Sequence, residues 1–198
     1  PNQSIRSGWS PLHIAARNDA KAALEILLED GRLPINGLTE EKGFTPLYLA
    51  ILNGGSHRAV EILLDSGADP SIANKDGFQP LYVAAEQNKS ATLQLLLDVV
   101  DPRNAIKKPG GWSALHIAAK RDSRAALEIL LEDGRLDING LSDDGWTPLL
   151  VACQEGYVDV ARMLLDKGAE VDRATEEGRT PLDIAKRNDA VVALLEEH

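Results

Sequence analysis

The chain repeats itself, and this repetition constrains its fold more than any other feature. The 31 residues from Gly8 to Leu38 recur from Gly111 to Leu141 with only six differences. Their opening, a glycine followed in most copies by an aromatic residue, Ser or Thr, Pro and Leu, occurs six times. The copies begin at Gly8, Gly43, Gly77, Gly111, Gly145 and Gly178, which are 35, 34, 34, 34 and 33 residues apart. A period of this length predicts stacked supersecondary units rather than one globular core.

Each copy carries the signals of two short helices. In five of the six copies a proline stands at the first helical position, mostly after a Ser or Thr that can cap the helix, as at Ser10 and Pro11. Apolar residues at helical spacing mark the second helix, and a glycine such as Gly31 or Gly67 follows as a C-terminal cap. One helix pair cannot cover its own apolar face. We therefore expect an all-α solenoid of helix-turn-helix units with projecting, β-hairpin-like loops.

These copies resemble the ankyrin repeat, which has a period of about 33 residues and a Thr-Pro-Leu-His-x-Ala signature. The match is clearest at residues 10–15 (SPLHIA), 113–118 (SALHIA) and 45–50 (TPLYLA). The resemblance implies a single ankyrin-repeat domain over residues 1–198. Its repeats would span residues 8–42, 43–76, 77–110, 111–144, 145–177 and 178–198.

The first repeat keeps the apolar residues of an internal repeat, including Leu24, Ile26 and Leu27. Terminal repeats of a solenoid need a polar outer face. We therefore expect that further sequence precedes this repeat and that the chain is part of a longer protein.

Charge, hydropathy and cysteine content limit the ligands and the compartment that we expect for this chain. The formal net charge of −10 repels polyanions, so nucleic acid is not expected as a ligand. The sequence has no apolar run of the length that a membrane span requires, so membrane insertion is not expected. The single cysteine, Cys153, fits a reducing compartment. We expect a monomer in the cytoplasm or nucleus, or in the host cytosol if the chain is a bacterial effector.

His13 and His116 are the residues most easily taken for catalytic or metal-binding groups. In the ankyrin family this histidine bonds the neighbouring hydroxyl residue and nearby backbone, and Ser10 and Ser113 stand at the matching positions. Cys153 takes the place of a small alanine, and its own repeat has no histidine to act as a base. The sequence has neither metal-ligand spacing nor a phosphate-binding glycine loop. We predict no enzymatic activity, no metal and no other cofactor.

One side chain after each opening glycine should join a ladder along the base of the projecting loops. One interpretation is that the ladder packs loop on loop and stiffens the stack. The other is that part of it forms an exposed platform for a partner, since Trp is enriched at binding hot spots. Both can hold together. The residues are Trp9, Phe44, Phe78, Trp112, Trp146 and Arg179.

The resemblance also implies that partners contact the loop tips and the first-helix ends that line a concave groove. These positions vary even between the near-duplicate repeats, where Arg17-Asn18 becomes Lys120-Arg121. The predicted tip contacts are Lys42, Asp76, Lys108 and Asp144. The predicted groove contacts are Arg17, Asn18, Leu52, Glu86, Gln87, Lys120, Arg121, Gln154 and Glu155. A basic cluster at Lys107, Lys108, Lys120 and Arg121 favours an acidic anchor in the partner.

The predicted function is a scaffold or adaptor module that binds a protein or peptide. The alternative is a targeting or regulatory domain of a larger enzyme or of a secreted bacterial effector. Asn36 and Asn139 stand at a spacing that resembles the family's asparagine-hydroxylation site. The competing interpretation is that each asparagine orders its own loop.

Overall fold

The structure, a computed structural model, describes residues 8–54, 56–104 and 110–198. Twelve α-helices and no β-strand lie within these ranges, which confirms the predicted all-α class. The chain divides into two compact units. The first runs to Ala84 and resumes at Ala91, and the second comprises Ala85–Ser90 and the described residues from Gly110 to His198.

Each repeat pairs a first helix of five to eight residues with a second helix of eight to ten. In chain order the pairs are α1 (Pro11–Arg17) and α2 (Lys21–Asp30), α3 (Pro46–Leu52) and α4 (His57–Asp65), α5 (Pro80–Glu86) and α6 (Ser90–Val99), α7 (Ala114–Lys120) and α8 (Arg124–Asp133), α9 (Pro148–Glu155) and α10 (Val158–Asp166), and α11 (Pro181–Ala185) and α12 (Asp189–Glu196). None of the helices in the described part of the chain is long and apolar enough to cross a membrane.

Within each unit, like helices stack on like helices. In the first unit α1 packs on α3 and α2 packs on α4. In the second unit α7, α9 and α11 pack in succession, and so do α8, α10 and α12. Leucines and small alanines fill the space between neighbouring repeats. Examples that are fully or almost fully buried are Leu47, Ala50, Leu63, Leu149, Ala152 and Leu164.

The predicted caps start the first helices. A hydroxyl side chain accepts a hydrogen bond from the backbone N–H three residues later, which would otherwise have no partner in the helix. Each such cap is worth about 1 kcal/mol. The capping residues are Ser10, Thr45, Thr147 and Thr180.

The predicted glycines end most of the second helices. Gly31 and Gly134 follow α2 and α8 directly, with φ of 66° and 69°, in the left-handed region that carries no penalty for glycine. Gly67 and Gly168 follow α4 and α10 one residue later. No glycine follows α6, and the chain forms a 3-10 turn over Pro102–Asn104 instead.

The loops between repeats turn back on themselves, as the hairpin-like prediction requires. Backbone hydrogen bonds close the turns, among them Asn74 N–H to Phe78 O at 2.9 Å and Ser142 N–H to Trp146 O at 2.9 Å. The first loop closes from Thr39 to Phe44 and holds one residue more than these turns.

Neighbouring loops also lie against one another within each unit. Lys75 N–H donates to Lys42 O at 2.9 Å in the first unit, and Asp143 N–H donates to Gly110 O at 2.8 Å in the second. Gly145 shows why a glycine opens a repeat whose loop is covered by the following loop. Its φ is 72°, and a Cβ there would lie 2.7 Å from Glu176 Cγ and 2.9 Å from Glu176 N. The next loop therefore occupies the space that a side chain would need.

Candidate partner-binding surface

Trp9 lies between a buried histidine and an exposed cation. Its ring centroid is 6.2 Å from that of His13, with the planes tilted by 55°. The guanidinium carbon of Arg17 lies 5.4 Å from the centroid of the indole ring. This distance is within the range of a cation–π contact. The histidine contact holds the ring against the scaffold, while Arg17 remains exposed.

The fourth repeat reproduces this arrangement around Trp112. The ring centroid of His116 lies 5.7 Å away, and Lys120 Nζ lies 5.0 Å from the indole centroid. Both tryptophans are half-buried. In these two repeats the indole ring therefore packs against the scaffold histidine and also contacts an exposed cation.

His13 has the structural role that its resemblance to the family implies. Its Nδ1 accepts from Ser10 N–H at 3.1 Å and lies 2.7 Å from Ser10 Oγ. Nε2 lies 2.9 Å from Gly37 O and 3.1 Å from Phe44 O, so the ring carries its proton on Nε2 and donates to the loop. The side chain is 1% exposed, and this burial lowers the pKa of His13 below its usual 6.5, although the two carbonyls act in the opposite direction.

The same position in other repeats makes related links. Nε2 of His116 lies 2.9 Å from Trp146 O in the second unit. Tyr48 replaces the histidine in the second repeat, and its hydroxyl accepts from Asn74 Nδ2 at 3.0 Å. The Phe44 ring stacks on Tyr48 with centroids 4.8 Å apart. These residues tie a first helix to the next loop.

Cys153 is 2% exposed on α9, and burial raises its pKa to about 12. The thiolate is the reactive form, so the folded protein offers almost none at neutral pH. We expect iodoacetamide at pH 8 to leave Cys153 unmodified in the folded protein and to alkylate it in urea, as measured by mass spectrometry. Equal labelling rates under both conditions would contradict the assignment of a structural thiol.

Arg121 pairs with Glu86, and both are predicted groove residues of the second unit. Its Nε and Nη2 lie 3.0 Å and 2.7 Å from Glu86 Oε1. The pair compensates the charge of Arg121, and Lys120 is engaged with Trp112. Two cations of the predicted basic cluster thus have partners within the chain. The other two, Lys107 and Lys108, lie outside the described residues.

The predicted contact residues in the described part of the chain fall into an exposed and a half-buried group. The exposed ones are Arg17, Asn18, Lys42, Asp76, Lys120, Arg121, Asp144, Gln154, Glu155 and Arg179. The half-buried ones are Trp9, Phe44, Leu52, Phe78, Glu86, Gln87, Trp112 and Trp146.

Asn36 and Asn139 link neighbouring repeats through their side chains. Asn36 Oδ1 accepts from Asp69 N–H at 2.9 Å, and Asn139 Oδ1 accepts from Glu170 N–H at 2.9 Å. Each asparagine side chain thus bonds the loop of the following repeat. Sequence reasoning missed this role because the donor is a backbone group more than 30 residues away.

An open pocket of about 250 Å³ lies in the second unit, between the loops of the fifth and sixth repeats. The guanidinium carbon of Arg179 lies 5.9 Å from the Trp146 ring centroid, and Arg179 Nη2 lies 2.8 Å from Glu177 Oε2. The pocket brings together three predicted site residues with neighbours from the end of the fifth repeat. Its lining residues are Asp144, Trp146, Thr175, Glu176, Glu177 and Arg179.

The chain is similar to known repeat proteins along its whole length. The family model described as ankyrin repeats (3 copies) matches residues 1–74, 53–140 and 135–198. Over 48 residues the chain is 46% identical to protein phosphatase 1 regulatory subunit 27 of Mus musculus. That match covers 24% of this chain and 31% of the relative, so the similarity reaches about a third of the relative's length.

Solved structures show the same architecture. The ankyrin repeat domain of Bcl-3, a member of the IkappaB family, superimposes with a TM-score of 0.86 at 26% identity, covering 96% of this chain and 86% of that domain. The human ASB11 ankyrin repeat domain gives a TM-score of 0.81 at 32% identity, with 96% and 83% covered. With the family model matching from end to end, the chain belongs to the ankyrin-repeat family.

Proposed function

We propose that this chain is an interaction module that binds a protein or peptide partner through its first-helix ends and loop tips. The main support is the difference between the nearly identical first and fourth repeats at the ends of their first helices. Arg17 and Asn18 are exposed in the first repeat, and Lys120 and Arg121, which replace them, are exposed in the fourth. The residues that the two repeats share include the buried helix core. Four of the six differences lie at positions that are exposed in both repeats, where a partner can reach them.

The tryptophan and cation pairs would serve as anchors of this surface. Trp9 and Trp112 are half-buried against His13 and His116, so little side-chain entropy remains to be lost on binding. Tryptophans and arginines at the centre of an interface contribute a large share of binding energy in many complexes.

A pull-down from lysate with quantitative mass spectrometry would test the proposal. We expect the wild-type chain to enrich a protein that Trp112→Ala with Lys120→Glu recovers about tenfold less, since hot-spot losses reach about 2 kcal/mol. Arg162→Glu on α10 is the matched control, because it makes the same change of charge at another exposed position. Circular dichroism would confirm that each variant is folded. Equal recovery by the double variant and the control would remove this surface as the binding site.

A second candidate is a regulatory domain of a larger enzyme assembly. Its support is the 46% identity over 48 residues to a regulatory subunit of protein phosphatase 1. Binding of the purified chain to the catalytic subunit of that phosphatase, measured by calorimetry together with phosphatase activity, would test it. If neither binding nor a change in activity is seen, this phosphatase is rejected as a partner, and the proposal of an interaction module is unaffected.

A further inference from the structure

We propose that the pocket beside Trp146 receives an arginine side chain of the protein partner. This inference rests on the proposed function and specifies the chemistry of one contact. The pocket lies within the second unit, and all of its lining residues are described.

The chain itself shows which group its tryptophans accept. Eight residues after Trp9 and Trp112, the exposed cations Arg17 and Lys120 lie 5.4 Å and 5.0 Å from the ring centroids. Eight residues after Trp146 the sequence has Gln154, which is exposed and uncharged. The fifth repeat therefore has no cation at the end of its first helix, and the cation that contacts its tryptophan, Arg179, comes from the sixth repeat.

The charge around Trp146 favours a cation from outside. The pocket has three carboxylates, from Asp144, Glu176 and Glu177, and one cation, Arg179. Arg179 is paired with Glu177 at 2.8 Å. Neither Asp144 nor Glu176 forms an ion pair with another residue in the described part of the chain. The net charge of −10 adds a field of the same sign.

Arg179 also indicates the geometry that suits the pocket. Its guanidinium lies 5.9 Å from the Trp146 centroid while it bonds Glu177, so this group satisfies the ring and a carboxylate at once. A guanidinium from the partner could stack in the same way and bond Asp144 or Glu176 through two N–H groups. Arginine suits this role better than lysine because its planar fork stacks on aromatic rings and bonds carboxylates bidentately.

The test is a titration with the capped peptide acetyl-Gly-Arg-Gly-amide, followed through the indole N–H signals of ¹⁵N-labelled protein. Trp146→Phe identifies the signal of Trp146. We expect this signal to shift saturably and those of Trp9 and Trp112 to move little. The same peptide with citrulline, a neutral isostere of arginine, should produce no shift. Equal movement of all three signals, or equal binding of the citrulline peptide, would overturn the proposal.

Two variants test the pocket directly. Asp144→Asn with Glu176→Gln should weaken peptide binding about fivefold, as the loss of contacts at a solvent-exposed charged site predicts. The control, Glu128→Gln with Glu132→Gln, removes the same charge from exposed positions on α8 and should leave the affinity nearly unchanged. Equal weakening by both pairs of substitutions would show that the overall negative charge attracts the peptide, and it would contradict specific binding in the Trp146 pocket.

Gln154→Lys tests the comparison with the fourth repeat, because it places a cation where Lys120 stands. We expect the new ammonium group to contact the Trp146 ring and thereby to weaken peptide binding. The control Gln94→Lys adds the same charge at an exposed position on α6 and should have little effect. A lysine peptide that binds as tightly as the arginine peptide would overturn the assignment to a guanidinium.

The peptide titration and the pull-down test separate claims, so either can give a negative result without affecting the other. The titration needs no knowledge of the natural partner, so a negative result removes only the Trp146 pocket. Conversely, a partner that is retained by the Trp112 and Lys120 double variant would contradict the proposed binding surface while leaving arginine binding at Trp146 intact.

Discussion

Alanine at Gly145 is expected to lower the free energy of unfolding by about 3 kcal/mol, through left-handed strain and crowding together. The residue has φ of 72°, and the new Cβ would lie 2.9 Å from the backbone nitrogen of Glu176. A backbone atom cannot rotate away as a side chain can, so the loop of the sixth repeat would have to shift. Urea unfolding followed by circular dichroism measures the loss.

Gly178 offers a matched control in the same unit. Its φ of 78° is nearly that of Gly145, but a Cβ there would meet no atom within 4 Å. Gly178→Ala should therefore show only the conformational cost, about 1 kcal/mol. If the two variants lose the same stability, the close approach of the loop contributes nothing and the backbone angle alone explains the glycine.

Removal of the imidazole of His13 should have an effect of similar size. His13→Ala leaves Ser10 N–H and Gly37 O without their partner, removes one of the two donors to Phe44 O and opens a cavity under the loop. We expect a loss of about 3 kcal/mol at pH 7.5, since unsatisfied buried groups and cavities each cost 1 kcal/mol or more. Urea unfolding of the wild type and the variant measures the difference.

The same pair of proteins should show a characteristic pH dependence. Burial lowers the pKa of folded His13, so below about pH 6.5 the unfolded chain binds a proton that the folded chain does not. Wild-type stability should therefore fall with decreasing pH, by up to about 1.4 kcal/mol per pH unit from this residue. His13→Ala lacks this contribution, so the gap between the two proteins should narrow from pH 7.5 to pH 5.5. A gap that is constant or that widens would show that His13 is not held neutral.

Local signals in the sequence predicted the helices well, because the groups involved are close along the chain. Ser10 caps the N–H of a residue three positions later, and Gly31 takes the left-handed conformation directly after α2. The structural role of His13 followed from the family motif. Each of these features repeats in several units, so one correct assignment in a single repeat could be carried to the others.

Contacts between repeats could not be predicted in the same way. Glu86 and Arg121 are 35 residues apart, and their pairing depends on how one turn faces the next helix end. The meeting of Trp146 with Glu176 and Arg179 likewise depends on the loop stacking. The cation at Trp9 is different, since the spacing of eight residues recurs at Trp112 and could have been noticed in the sequence. The role of Lys108 remains a prediction.

The hydrogen bonds of Asn36 and Asn139 have a consequence for how such a chain can be rearranged by recombination. Both asparagines bond a backbone N–H of the following repeat, at Asp69 in one case and Glu170 in the other. Every amino acid except proline supplies a backbone N–H at this site, so the joint makes almost no demand on the neighbour's side chain. One segment can then be copied in front of an unrelated successor and still connect to it. Exchange of the first and fourth repeats, which carry these asparagines, should therefore preserve the joints even where the surfaces of the two repeats differ.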